Sequence, residues 1–161
     1  SSAASDVYKR QEIDPGCVEG HYNLGVALIN EGRYDDAEEE FRKILRLEGD
    51  NVNAFFYLGY LSYRRGVYAR ALKYLKQAVC LNPGNATILY YIGECYNRME
   101  QPRKALDYYK KVTEINPGDT RVYFSLGISY EKQDDKRKAR ECYRMAADSR
   151  CDGPGRLQPT E

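Results

Sequence analysis

The sequence predicts an all-α protein in which helical hairpins stack side by side into an α-α superhelix. One glycine recurs every 34 residues, at Gly25, Gly59, Gly93 and Gly127. A large aliphatic residue precedes each of these glycines and an alanine follows each at a constant offset. The composition, 42% hydrophobic and 30% charged residues in a chain of 161 residues, is typical of a folded, helix-rich protein.

Each period is interpreted as two helices joined by a short turn. In the first period the apolar spacing predicts helices over about 18–30 and 34–47, separated by Glu31-Gly32-Arg33. The Asn-Pro-Gly sequences at 82–84 and 116–118 predict where a second helix ends, because proline disfavours helix at the residue before it. The recurring glycine and alanine are expected to let the two helix backbones approach closely.

A 34-residue helix-turn-helix with these small, aromatic and proline positions resembles the tetratricopeptide repeat (TPR) family. Four repeats are expected at residues 18–51, 52–85, 86–119 and 120–153, with the last one degenerate at its end. The resemblance implies a right-handed solenoid whose concave surface is lined by the first helix of each repeat. The family's tryptophan position departs from the pattern in every repeat and is occupied by His21, Phe55, Leu89 and Tyr123.

The flanking residues do not complete further repeats. Residues 12–17 match the close of a repeat and are interpreted as the remnant end of a preceding one. Residues 1–11 are expected to be a non-native or disordered leader, and residues 154–161 a flexible tail. The sequence is therefore expected to be a fragment of a longer array or of a larger protein.

Composition argues against several functional classes. The net charge of +1 does not favour a nucleic-acid partner, and no stretch has the roughly 18 apolar residues of a membrane-spanning helix. The single histidine, His21, and five widely spaced cysteines suggest no His-based active site or zinc site. We therefore expect no enzyme activity, no cofactor, no metal and no membrane contact. The cysteines are interpreted as buried small hydrophobic residues of a cytoplasmic protein.

The candidate binding surface is the concave face that the resemblance implies. The second, fifth, ninth, twelfth and thirteenth residues of each repeat share one stripe of the first helix. The partner-binding residues predicted on this stripe are Tyr22, Asn30, Asn53, Phe56, Tyr60, Tyr63, Arg64, Tyr90, Glu94, Asn97, Arg98, Arg121 and Phe124. Aromatic residues offer a large contact area at a low entropic cost, and arginines could hold an acidic peptide or a C-terminal carboxylate.

Other interpretations of these residues stay open. The aromatic side chains could instead pack against a flanking repeat or a neighbouring chain, and the arginines could simply be solvated. Six further tyrosines occupy positions that the family uses for packing and are expected to serve the fold alone: Tyr34, Tyr68, Tyr96, Tyr109, Tyr130 and Tyr143. The two-carboxylate clamp of some family members is not matched, because its sites are occupied here by Tyr22, Val26, Tyr57, Thr87 and Tyr91.

The function predicted from these observations is a non-catalytic scaffold that binds a peptide or a protein segment in an aromatic groove. A second hypothesis is that the repeats form the targeting or substrate-recruiting arm of a larger enzyme or of a secretion or assembly protein. A third is a self-associating array. An acidic second helix in the first repeat and a basic one in the fourth could favour head-to-tail contact.

Overall fold

The structure is a computed structural model, and it describes residues 15–148. Within that range the chain forms eight α-helices. In chain order they are α1 (Pro15–Asn30), α2 (Tyr34–Leu47), α3 (Val52–Arg64), α4 (Tyr68–Leu81), α5 (Ala86–Arg98), α6 (Pro102–Ile115), α7 (Thr120–Glu131) and α8 (Lys136–Asp148).

The helices pair into four hairpins that stack in chain order. Each odd-numbered helix packs against the even-numbered helix that follows it, and each even-numbered helix packs against the first helix of the next hairpin. This arrangement confirms the predicted all-α stack of hairpins. Each hairpin buries one face within itself and another against its neighbour. Among the described residues the buried side chains form two apolar clusters, one across α1–α3 and one across α4–α8.

The first helix begins earlier than predicted. It starts at Pro15, where the missing backbone N–H costs nothing because the first turn of a helix has no internal acceptor for it. Residues 15–17, interpreted from the sequence as the end of a preceding repeat, therefore belong to α1. The predicted leader at 1–11, the rest of that remnant, the end of the fourth repeat and the tail at 154–161 lie outside the described residues.

Side chains at the helix starts replace missing backbone partners. Asn51, Asn85 and Asp119 precede α3, α5 and α7, and each accepts a hydrogen bond from a backbone N–H of the first turn at 2.9–3.1 Å. Such caps satisfy donors that have no partner inside the helix. At the other end, α4 stops at Leu81 and α6 at Ile115, directly before the Asn-Pro-Gly sequences, so the predicted helix ends are confirmed.

The recurring glycine lies beneath a large side chain of the second helix. A Cβ atom added at Gly93 would lie 2.5 Å from the ring of Tyr109, and one at Gly25 would lie 2.7 Å from the ring of Phe41. Leu75 and Tyr143 occupy the same place over Gly59 and Gly127. The glycine therefore admits a large side chain of the second helix, and a Cβ atom at Gly59 would also lie 3.3 Å from the backbone oxygen of Ala71, in line with the close approach expected from the sequence.

The repeated apolar positions form the interior. Ala37, Ala71 and Ala105 are completely buried, and Ala139 nearly so. The residue before the recurring glycine is buried in the last three repeats but is 47% exposed at Leu24. This difference follows from the stacking, because no described helix precedes α1 to cover that face.

Candidate functional site

The candidate site lies on the side of the stack formed by the first helices. Helix α3 contacts α5 directly, and α5 contacts α7, in addition to the contacts each makes with second helices. The first helices are therefore the more closely spaced ones, and the face that they form is called the inner surface below. All thirteen residues predicted to bind a partner lie on or at the ends of these helices.

Five aromatic rings on α3 and α5 form one continuous group on the inner surface. Tyr91 is at its centre, with ring centroids 5.8 Å from Phe56, 5.3 Å from Tyr60, 5.5 Å from Tyr63 and 5.5 Å from Tyr90. All five residues are half-buried. These edge-to-face and tilted contacts are favourable for aromatic rings and hold them in place. We call this group the Tyr91 cluster.

A second aromatic group lies between α1, α2 and α3. Tyr57 stacks on Phe41 with centroids 4.7 Å apart, and Tyr22 meets the Tyr57 ring edge-on at 5.7 Å. The hydroxyl oxygens of Tyr22 and Tyr57 are 3.4 Å apart. Phe56 joins this group to the Tyr91 cluster, since its ring is 5.1 Å from that of Tyr57. The aromatic surface therefore extends from the first repeat to the third.

Burial raises the pKa of three phenol groups on this surface, those of Tyr57, Tyr90 and Tyr91. Burial, and next the neighbouring Tyr22, raises the pKa of Tyr57 to about 12. Burial is also the main cause that raises the pKa of Tyr90 and of Tyr91 above the ordinary tyrosine value. A neutral phenol can donate a hydrogen bond, and covering it with a ligand costs less desolvation free energy than covering a charged group. The surface is therefore suited to contact with a polypeptide.

Glu94 links the Tyr91 cluster to the next repeat. Its carboxylate accepts hydrogen bonds from Tyr63 Oη at 3.1 Å, from Tyr109 Oη at 2.6 Å and from Ser125 Oγ at 2.8 Å. Burial, and next this carboxylate, raises the pKa of Tyr63 and of Tyr109. Glu94, predicted from the sequence as a partner-binding residue, already has three partners inside the molecule.

Three arginines surround the aromatic surface. The Arg64 guanidinium donates to Tyr60 Oη at 2.8 Å and to Tyr34 Oη at 3.0 Å. Arg121 lies 5.2 Å from the centroid of the Tyr90 ring. Arg98 is exposed at the end of α5. The structure therefore places positive charge beside the rings in the second, third and fourth repeats.

Three other predicted residues are exposed but lie at different places around the Tyr91 cluster. Asn53 is exposed and lines a cleft of about 190 Å³ together with Tyr22, Phe56 and Tyr57. Asn30 is exposed at the end of α1. Phe124 is 55% exposed and contacts Tyr143 of α8, so it lies beyond the Tyr91 cluster.

Asn97 departs from the prediction of an exposed groove residue. Asn97 is only 7% exposed, and its Oδ1 atom has no hydrogen-bond partner among the described residues. In α5 the twelfth residue of the repeat is buried, although it lies on the predicted stripe. Asn97 therefore lies under the inner surface and not on it.

The sequence analysis missed Tyr57 and Tyr91. Both occupy the sixth position of their repeats, which the predicted stripe left out. The spacing itself contained the signal, because the sixth residue is four after the second and three before the ninth, and such residues share a helix face. In the second and third repeats the fifth and sixth residues are both aromatic, Phe56-Tyr57 and Tyr90-Tyr91, and the predicted stripe included only the fifth.

Polar side chains that could take part in catalysis, such as His21 and Asp135, form hydrogen bonds that stabilise the fold. His21 Nδ1 lies 2.6 Å from Glu40 Oε2, which joins α1 to α2 as expected for a hairpin residue. Asp135 Oδ1 accepts a hydrogen bond from the Lys138 backbone N–H and so caps α8. Across residues 15–148, no group of three or more His, Cys, Asp or Glu side chains is arranged to hold a metal ion.

The cysteines only partly follow the prediction that they are buried. Cys95 and Cys142 are buried, and burial raises the pKa of both thiols, that of Cys95 to about 12. Cys17 and Cys80 are exposed, contrary to the prediction. Cys151 lies outside the described residues. A thiol with so high a pKa is a poor nucleophile, so the buried cysteines serve as packing residues.

Comparisons with known proteins support one family. Sequence models described as tetratricopeptide repeat match residues 2–52 and 22–86, residues 63–123 and residues 120–149. No curated protein sequence matches the chain. Of the helices in the described range, none is both long enough and apolar enough to cross a lipid bilayer.

Solved structures with the same arrangement include MamA and YrrB. A crystal structure of MamA has a TM-score of 0.78 at 29% identity, covering 85% of this chain and 80% of that one. MamA residues 41 to the end from Desulfovibrio magneticus RS-1 give a TM-score of 0.79 at 26% identity, covering 86% and 78%. YrrB gives 0.74 at 25% identity, covering 94% and 83%, and is described as "a TPR protein with an unusual peptide-binding site".

Proposed function

The chain belongs to the tetratricopeptide repeat family, and we propose that its inner surface binds a segment of another protein. A protein-interaction scaffold is the general function that the family and its solved relatives support. The peptide-binding site named for YrrB makes a peptide or an extended segment the natural class of ligand. The binding surface that we propose is the Tyr91 cluster with its neighbours Tyr22, Asn53 and Tyr57.

The single observation that carries this proposal is the Tyr91 cluster itself. Its five rings contact one another at 5.3–6.3 Å yet remain half-buried, so part of each side chain faces solvent. Rings that are already fixed by their neighbours lose little freedom when a ligand covers them. Aromatic residues of this kind contribute a large part of the binding free energy at many protein interfaces.

We also propose that this part of the chain is non-catalytic. The thiols of Cys95 and Cys142 are buried with raised pKa values, and His21 is engaged with Glu40. Catalytic nucleophiles need the opposite arrangement, an accessible group with a base beside it. The free thiols of the described cysteines support a reducing compartment, and we propose a cytoplasmic location on that ground.

The proposal can be tested by replacing two rings of the cluster. A displayed library of random peptides is selected against the wild-type protein, and the affinity of a recovered peptide is measured by fluorescence anisotropy. Tyr60→Ala combined with Tyr90→Ala should weaken that binding by about 2 kcal/mol or more, because two central contact residues are lost.

The matched control is Tyr108→Ala. Tyr108 is also half-buried and stacks on another ring, Tyr96, with centroids 5.6 Å apart, but it lies on the second helix α6. This variant should bind the peptide as the wild type does. Circular dichroism verifies that all variants remain helical. Unchanged peptide binding by a folded double variant would show that the Tyr91 cluster is not the binding surface.

A further inference from the structure

Arg64 is held in a fixed position by neutral groups. Two tyrosine hydroxyls accept hydrogen bonds from its guanidinium, and its Cζ atom lies 5.5 Å from the ring centroid of Tyr34 and 5.7 Å from that of Tyr60. Among residues 15–148, no carboxylate forms an ion pair with Arg64. The guanidinium has more N–H donors than these two bonds use, so it can still bind an anion.

Arg98 occupies the equivalent position in the next repeat. It is the last residue of α5, as Arg64 is of α3, and it is exposed. The neighbouring Tyr63, a member of the Tyr91 cluster, is the main cause that raises the pKa of Arg98 above its ordinary value, and Glu94 adds to it. No carboxylate within the described range forms an ion pair with it. Arg64 and Arg98 are therefore exposed guanidinium groups at equivalent positions of consecutive repeats, and neither forms an ion pair within the described range.

The other charges on the inner surface do not neutralise these two arginines. Glu94 accepts three hydroxyl donors, and Glu131 accepts a hydrogen bond from Tyr143 Oη at 2.8 Å. Arg121 is already paired with Asp119 at 2.8 Å. The exposed carboxylate of Glu19 lies on α1, one repeat before Arg64 and two before Arg98. Hydroxyl donors leave the negative charge of Glu94 in place, but Arg64 and Arg98 outnumber this one carboxylate, so the net charge beside the Tyr91 cluster is positive.

We propose that the segment bound on the inner surface is acidic, and that two of its Asp or Glu side chains pair with Arg64 and Arg98. This inference rests on the proposed function, since it names the chemistry of the ligand at the same surface. Arginine is suited to the task because its planar group can form paired hydrogen bonds with a carboxylate. We favour side-chain carboxylates over a chain terminus, because the two arginines offer sites for two carboxylates and a C-terminus supplies only one.

The Tyr91 cluster lies between the two arginines and adds a second requirement for the ligand. Tyr60 accepts a hydrogen bond from Arg64, Tyr63 is close enough to Arg98 to raise its pKa, and both rings contact Tyr91. A ligand that reaches both arginines therefore passes over these rings. We expect an aromatic or large aliphatic side chain near the acidic residues of the ligand, because such a side chain would cover the exposed parts of the rings.

The experiment is a peptide selection on two proteins. A displayed library of random peptides is selected in parallel against the wild type and against Arg64→Gln combined with Arg98→Gln. Peptides recovered on the wild type should be enriched several-fold in Asp and Glu over the starting library. This enrichment should disappear on the double variant. A recovered acidic peptide should bind the double variant about tenfold or more weakly, and the difference should shrink at high salt.

The matched control removes the same charge elsewhere. Arg137 and Arg144 are exposed on the second helix α8, so Arg137→Gln with Arg144→Gln should leave selection and affinity unchanged. Recovered peptides without acidic enrichment, or enrichment that persists on the Arg64 and Arg98 variant, would overturn the acidic ligand alone. Enrichment confined to the last residue of peptides displayed with a free carboxyl end would also overturn it, in favour of a C-terminal carboxylate.

The proposed function fails in a different way. If the Tyr60 and Tyr90 double variant recovers the same peptides as the wild type, the inner surface is not the binding site, and the ligand inference falls with it. If that variant loses the peptides but they are not acidic, the site stands and only its chemistry is wrong. The two variants therefore separate the two proposals.

Discussion

The first two repeats are joined by ion pairs in addition to apolar contacts, whereas no ion pair among the described residues joins the second and third, which meet through apolar side chains. Glu38 on α2 is 8% exposed and accepts hydrogen bonds from Arg42, at 2.6 Å, and from Arg65. Arg70 lies 3.8 Å from the same carboxylate. One period later the equivalent position is Leu72, which is also 8% exposed but belongs to an apolar cluster with Met99 packed against it.

The comparison shows which positions the fold requires and which it leaves free. Both joints keep the recurring glycine beneath a large side chain and the buried alanine of the second helix. The position of Glu38 and Leu72 accepts either chemistry, provided that a buried carboxylate receives enough donors. The two joints should therefore respond differently to substitution, to salt and to acid.

The largest effect should come from the feature that both joints share. Gly93→Leu should destabilise the protein by about 3 kcal/mol, because even a Cβ atom there would be too close to the Tyr109 ring. The measurement is the midpoint of thermal and urea unfolding followed by circular dichroism. Gly20→Leu on α1 is the control, since nothing lies within 4 Å of a Cβ atom at that position. Equal stability of Gly93→Leu and Gly20→Leu would show that the glycine position is not tightly packed.

The two joints are compared directly by removing the equivalent side chains. Leu72→Ala should cost about 2–3 kcal/mol through lost burial and a cavity. Glu38→Ala should cost about 1–3 kcal/mol, because Arg65 and Arg70 lose a largely buried partner. High salt should reduce the cost at Glu38 and not at Leu72, since screening acts on charges. The same salt dependence for both variants in urea unfolding would mean that the joints do not differ in chemistry.

The smallest effect should be a response of the first hairpin to acid. Glu40 accepts hydrogen bonds from Lys43 at 2.7 Å and His21 at 2.6 Å. Burial alone would raise the pKa of Glu40, but these hydrogen bonds outweigh it and lower the pKa below its ordinary value of 4.5. A carboxyl whose pKa is lower in the folded state stabilises the protein above the unfolded-state pKa, and this stabilisation is lost as the pH falls through the folded-state pKa.

This contribution should be less than about 1 kcal/mol, because the partners are partly solvated. Thermal melting is measured from neutral pH to about pH 3, and the loss for wild type below about pH 4.5 should exceed that for Glu40→Gln. The Gln side chain does not titrate, so the variant provides the baseline. Parallel pH profiles for the two proteins would contradict the assignment to Glu40.

Much of the fold could be predicted from the sequence because the same pattern of small and large apolar residues recurs in all four repeats. Gly93 and its equivalents, the buried alanines and the Asn-Pro-Gly sequences recur with one spacing, and each marks the same feature of a hairpin. Predictions failed where a residue has no equivalent that behaves alike. Pro15 begins a helix where the sequence suggested the end of a repeat, and Cys80 is exposed although cysteines are usually buried.

The candidate site was harder to predict than the fold. The periodicity of one helix selected Phe56, Tyr60 and Tyr90 for the inner surface, and the structure places them there. It could not show that Tyr91 lies at the centre of the rings or that Asn97 lies beneath them. Those facts depend on how α5 packs between α3 and α7. The residue pattern within one helix does not determine how that helix is oriented against its neighbours.

By itself, the sequence determined the helical hairpin, its length and its order in the stack, because these depend on interactions within one 34-residue period and with the period next to it. Only the tertiary structure decided which inner side chains remain available to a ligand. Glu94 is occupied by Tyr63 and Ser125, both 31 residues away in sequence, whereas Arg64 and Arg98 are left without a carboxylate among the described residues. Such contacts form only once the hairpins have packed, since side chains of neighbouring repeats meet at distances that the packing of the helices sets.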